Sequence, residues 1–198
     1  MKHVGLNITY TPLICSLRSF ALLSVVLLFS SLIGFGQLDS IHWIPPLTAT
    51  NFAANAGAYE HSVYLSTPET VAFDVTVTTG TGTLIGTYSV SKAGPSKFSL
   101  ANGSNYLCLE DDSVGSVQID DGLILSASKK FYANYRIRST AQGGSLTSKG
   151  QIAKGMNFYW GGVPIYGNAS TMNAVMGIMA TEDNTTVTID GYDPDCEF

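Results

Sequence analysis

Charged side chains are scarce in this sequence, at 13% of 198 residues, and bases are scarcer than acids, with 10 Lys+Arg against 15 Asp+Glu. A chain of net charge −5 repels phosphate backbones. Its densest bases, Lys129, Lys130, Arg136 and Arg138, sit in one short stretch without a basic helix around them, so nucleic-acid binding is not expected. Zinc-site spacing is missing too. His42 and His61 stand in no H-x-x-x-H pair and beside no C-x-x-C, and they read as ordinary surface or rim histidines. No G-x-S-x-G elbow marks a nucleophile. Ser126-Ala-Ser-Lys129 has the S-x-x-K spacing of serine–lysine enzymes, but that chemistry needs its serine at the start of a buried helix. Here the four residues end one strand and turn into another, and neither S-D-N nor K-T-G accompanies them. With no nucleophile and no acid–base constellation, no enzyme activity is expected and no catalytic residue is assigned.

EF-hand spacing is absent as well. Glu110, Asp111, Asp112, Asp120, Asp121, Asp193, Asp195 and Glu197 cluster in loops and read as solvated turn residues. No cofactor is expected; calcium is the one whose ligand chemistry loop carboxylates would match.

Cysteine is limited to Cys15, Cys108 and Cys196. Cys15 lies in an N-terminal segment with the marks of an export leader. Lys2 and Arg18 belong to a polar n-region, and Phe20 to Ile33 is an uncharged apolar run of 14 residues, shorter than the ~20 that cross a bilayer. Gly34-Phe35-Gly36 then supplies the small-x-small pattern of a signal-peptidase cut. Residues 1–36 are therefore expected to be a cleavable signal peptide, and 37–198 one β-rich extracellular domain with no membrane span after cleavage. Losing Lys2 and Arg18 from the 10 bases leaves 8 against all 15 acids, a net charge of −7. In an oxidising compartment Cys108 and Cys196 are candidates for a single disulfide closing a long loop, worth about 4–5 kcal/mol in the chain-entropy model. The alternative leaves Cys108 a buried free thiol and Cys196 paired outside the chain.

What the sequence has in quantity is strand pattern. In Val71 to Thr78, Val71, Phe73, Val75 and Val77 alternate with Asp74, Thr76 and Thr78, the period of a half-buried strand. Thr79-Gly-Thr-Gly82 and a returning run, Thr83 to Val90, complete a hairpin. Short strands are predicted at Lys97 to Leu100, Tyr106 to Leu109, Gly122 to Ser126 and Phe131 to Ile137, separated by Asn102-Gly103, Asp111-Asp112 and Asp121-Gly122 turns. Lys149 to Ala153 reads as a helical turn. A second hairpin is predicted from Asn173–Ala180 and Thr185–Ile189 around Glu182-Asp-Asn184. Strands every 8–15 residues or so, with no convincing helix of three turns, predict an all-β domain: an antiparallel β-sandwich or barrel-like domain after the signal peptide.

Tyr159, Trp160 and Tyr166 fall in a Gly/Pro-rich segment that can display side chains, and they are the candidate ligand contacts, with packing as core or loop-anchoring aromatics the competing reading. Four stretches in order resemble one known family: Ile41-His-Trp-Ile-Pro-Pro-Leu47, Tyr64-Leu-Ser-Thr-Pro-Glu69, Phe131-Tyr-Ala-Asn-Tyr-Arg-Ile-Arg-Ser-Thr140 and Met179-Ala-Thr-Glu-Asp-Asn-Thr-Thr-Val-Thr188. They are similar to the IgGFc-binding protein N-terminal domain family, most closely to bacterial members. Those are large surface proteins that often end in a gliding-motility-associated, type IX secretion domain. The resemblance implies a non-enzymatic binding or adhesion module, secreted or at the cell surface, facing an unknown extracellular protein or glycan ligand. It also implies that residues 37–198 are the N-terminal fragment of a longer protein. Two other readings compete: a secreted polysaccharide hydrolase using Asp111, Asp112, Asp120 and Asp121, and a structural spacer domain.

Overall fold

The computed structural model describes residues 37–48, 60–103, 105–109, 115–138, 143–161 and 176–191. They belong to one compact unit, Gly36–Phe198. The predicted leader, Cys196, Tyr166, Asp111 and Asp112 lie outside the described residues.

The all-β expectation is met. Among the described residues nine strands form: β1 Asp39–Ile44, β2 Leu47–Thr48, β3 Glu60–Ser66, β4 Phe73–Thr79, β5 Leu84–Val90, β6 Ser96–Leu100, β7 Cys108–Leu109, β8 Leu123–Arg138 and β9 Gly143–Thr147. Seven of them make one antiparallel sheet with hydrogen-bonded order β5-β4-β8-β3-β6, and β1 and β9 also pair with β8. β2 and β7 form a separate parallel pair. The two ends of the path meet where Tyr88 of β5 stacks on Phe98 of β6, ring centroids 4.4 Å apart, so the sheet curls into a nearly closed, barrel-like form.

The period-2 pattern decides which side chains fill that form. Phe73, Val75 and Val77 of β4 point inward while Asp74 faces water. Along β8 the buried positions are odd ones, with Leu123, Leu125, Phe131, Ala133 and Tyr135 at 1% exposure or less. Val63 and Leu65 of β3, Ile44 of β1, Val90 of β5 and Phe98 of β6 complete the core. Each such side chain contributes about 1.5–3 kcal/mol by leaving water, which outweighs any surface ion pair here.

β8 departs from expectation. The sequence reads as two strands with a break at Ser126–Lys129, yet the backbone runs straight through. Ser126 pairs with Thr76 on one side and Ile41 on the other, which holds the small polar stretch extended. The S-x-x-K residues are thus mid-strand, with Lys129 Nζ 3.3 Å from Glu69. Opposite β1 the ladder is offset: Asp39 pairs with Phe131 but Ile41 with Ser126. His42 fills this irregularity, its Nε2–H donating to the Phe131 carbonyl at 2.8 Å.

The second predicted hairpin is also corrected. The turn is present, with Asn184 at φ 57° and Thr185 Oγ1 donating to the Glu182 carbonyl at 2.8 Å, but residues 176–180 and 185–190 are not strands. β8 already carries β1 and β4 along its first half and β3 and β9 along its second, so the central sheet seats without them. Residues 173–175 lie outside the described residues. The predicted helical turn exists as a 3-10 turn over Gly150–Ala153.

Candidate functional site

Three side chains able to do chemistry, His42, His61 and Cys108, lie inside the barrel. His42 and His61 are not rim residues, as expected, but fully buried. Their polarity hid the fact that each occupies an inward position where a ring nitrogen meets a partner in the core. His61 Nδ1 lies 2.8 Å from Tyr135 Oη, with the two rings stacked. Burial pushes the Tyr135 hydroxyl's pKa up, and so does the nearby Cys108. Cys108 is a buried free thiol, held by burial at a pKa of about 11, so it stays protonated and unreactive at neutral pH. Its candidate partner Cys196 is not described. Burial lowers the pKa of His42 against the pull of Asp39 and two backbone carbonyls, and its Nδ1 has no hydrogen-bond partner. The imidazole is therefore neutral, with its proton on Nε2.

Of the loop acids, Asp120 has a defined task. Its carboxylate accepts hydrogen bonds from Thr79 Oγ1 at 2.6 Å and from Thr81 Oγ1, and these lower its pKa. Thr79 Oγ1 also accepts the Thr83 N–H, so the acid ties down the β4–β5 loop. Burial, then the Asp120 charge, raises the pKa of neighbouring Asp121. Among the described residues no group of three or more His, Cys, Asp or Glu is arranged to hold a metal ion. No described helix is long and apolar enough to cross a membrane.

The aromatic candidates are outside. Asp39 clasps the 3-10 turn to β1: its Oδ2 accepts the Gln151 N–H at 2.7 Å and its Oδ1 accepts Gln151 Nε2 at 3.2 Å. Burial raises the Asp39 pKa, but these bonds and the one from the Ser40 N–H outweigh it and leave it lowered. Lys154 Nζ sits 5.4 Å from the Trp43 ring centroid, a second attachment. Beyond this anchored point Met156, Phe158, Tyr159 and Trp160 run into solvent, with Tyr159 fully exposed and Trp160 52% exposed.

A second surface escaped sequence reading, because it exists only through cross-strand register. On the outer face of β6, β3, β8 and β9, Lys97, Tyr64, Asn134 and Thr147 form one row, and Ser99, Arg136 and Ser145 belong to the next, in which Ser62 is itself fully buried. Asn134 Nδ2 donates to Thr147 Oγ1 at 2.8 Å, Ser62 and Ser99 hydroxyls meet at 3.3 Å, and Lys97 lies over the Tyr64 ring. Glu60 reaches Lys97 at 3.6 Å and Arg138 at 3.8 Å. Arg136 is exposed and has no ion-pair partner among the described residues.

No family model, curated protein or solved structure matches the chain.

Proposed function

We propose that the protein is a non-enzymatic binding or adhesion module, secreted or displayed at a cell surface, whose ligand is an extracellular protein or glycan. The observation that carries the reading is the contrast between its two sets of chemically capable groups. His42, His61 and Cys108 are sealed in the core, whereas Tyr159 and Trp160 stand in solvent on a segment fixed to β1 by Asp39 and Lys154. Exposing large aromatic rings gives up burial energy, and rigid aromatics are what binding surfaces use as anchors. The resemblance of four ordered stretches to the IgGFc-binding N-terminal domain family supports the same role, as does the leader pattern of residues 1–36. Screening the protein against glycan and extracellular-protein arrays tests it. At least one retained ligand should be lost with Tyr159→Ala/Trp160→Ala at unchanged melting temperature; a variant that holds every ligand equally well would remove the aromatic segment from the reading.

A further inference from the structure

We infer that the outer face of β6, β3, β8 and β9 binds an anionic polysaccharide, with Arg136 as its principal anchor. The inference rests on the binding role above and assigns a separate surface and a ligand class to it.

Charge is the first argument. The chain carries net −5, yet the outward positions of these four strands hold Lys97, Lys130, Arg136 and Arg138 against the single acid Glu60. Half of the eight bases beyond residue 36 are thus gathered on one face of an acidic protein. Glu60 neutralises Lys97 and Arg138 in part, and Arg136 between them has no ion-pair partner among the described residues. A guanidinium offers a planar fork of donors matched to a carboxylate or sulfate group.

The surroundings select the kind of polyanion. Ser99, Ser145, Asn134 and Thr147 give hydroxyl and amide groups suited to sugar hydroxyls, and Tyr64 and Tyr132 lie among them on the same face. Four strands at ~4.8 Å spacing span about 14 Å, enough for a short oligosaccharide laid across the rows. A protein partner would need an apolar centre. Of the large apolar side chains exposed among the described residues, only Tyr64 belongs to these four strands. A single-stranded nucleic acid would need open stacking platforms, and Lys97 Nζ lies over the Tyr64 ring, 5.3 Å from its centroid.

The test measures binding of the full chain to polygalacturonate, chondroitin sulfate, neutral dextran and single-stranded DNA, at low and high salt. The expected result is binding to one or both anionic polysaccharides that weakens with salt, with dextran and DNA bound at least ten times more weakly. Arg136→Gln should cut affinity at least about tenfold, since charge-assisted hydrogen bonds contribute about 1.5–3 kcal/mol. Glu60→Gln should raise affinity by freeing Lys97 and Arg138, a gain that a misfolded variant cannot produce. Tyr159→Ala/Trp160→Ala should leave this binding unchanged. No binding to either anionic polymer, tighter binding to DNA, or equal affinity of wild type and Arg136→Gln would overturn the inference. Array ligands lost with the aromatic variant, beside no binding to either anionic polymer, would overturn it while leaving the proposed binding role intact.

Discussion

Tyr135→Phe isolates one atom of the core and asks what a buried hydroxyl is worth. Tyr135 is 1% exposed, and its Oη and His61 Nδ1 are 2.8 Å apart. The substitution keeps the ring, its stacking on His61 and nearly all the buried apolar area, so no cavity larger than one oxygen results. Two effects oppose each other. Phe spares the cost of desolvating a hydroxyl, but it takes that hydroxyl away from His61 Nδ1, and losing one partner of a buried hydrogen bond costs about 1–3 kcal/mol. The lost bond decides the sign, because the hydroxyl's own desolvation is already offset by the bond it makes. At about 2–4 °C per kcal/mol for a chain of this size, the melting temperature should fall by roughly 2–12 °C. Urea unfolding followed by circular dichroism gives the free energy directly, with the slope expected unchanged. The double variant Tyr135→Phe/His61→Phe should lose less than the sum of the single losses, by about 1 kcal/mol. A Tyr135→Phe protein within 0.5 kcal/mol of wild type, or strictly additive losses, would refute the reasoning.

The protein should also weaken in acid. The folded pKa of His42 lies below its ordinary 6.5, so its stabilising contribution is complete above that value and is lost as pH falls from there towards the folded pKa. Thermal melts from about pH 8 to pH 5 should show the decline, and His42→Gln should flatten it. Asp39, whose pKa is also lowered, adds a separate loss only as pH falls below about 4. Gly150 has φ +62°, and a Cβ there would fall 2.4 Å from the Asp39 Cβ. Gly150→Ala should cost about 2–4 kcal/mol, the left-handed penalty plus the clash. Gly82→Ala, at φ +89° in open space, should show the left-handed penalty alone, about 1–2 kcal/mol by the same unfolding assay.

Where one strand face is apolar and the other polar, the sequence was readable. Val71–Thr78 and Thr83–Val90 predict a hairpin that forms as β4 and β5, displaced by no more than two residues. Asp121-Gly122 is a turn because Gly122 takes φ +83°. β1 was not legible, since its inward pair is His42 and Ile44 and its outward face holds Ile41 and Trp43, so no alternation marks it. β9, with Gly143 and Gly144, owes its extended form to pairing with β8. The unseated 176–190 segment shows the converse: an apolar, strand-like run needs a free sheet edge, which no local pattern reveals. The aromatic part of the candidate site was visible as Tyr and Trp beside Gly. The outer face was not, because Lys97, Tyr64, Asn134 and Thr147 become neighbours only once four strands are in register.

The central position of β8 bears on how the chain acquires its shape during synthesis. β1, β3, β4 and β9 all hydrogen-bond to it, and three of them precede it in the chain. Until residue 138 has left the ribosome, β4–β5 is a lone hairpin, β3 and β6 are a two-stranded ribbon, and β1 has no partner. Two-stranded ribbons are marginal in water. Pairings such as Ile44 with Leu123 and Glu60 with Arg138 join residues more than seventy positions apart, and loop closure of that length delays the reward from contact. The chain should therefore emerge as an extended polymer and collapse late, in one cooperative event when β8 is complete, so that a nascent chain stopped before Leu123 resembles an unfolded protein rather than half a barrel.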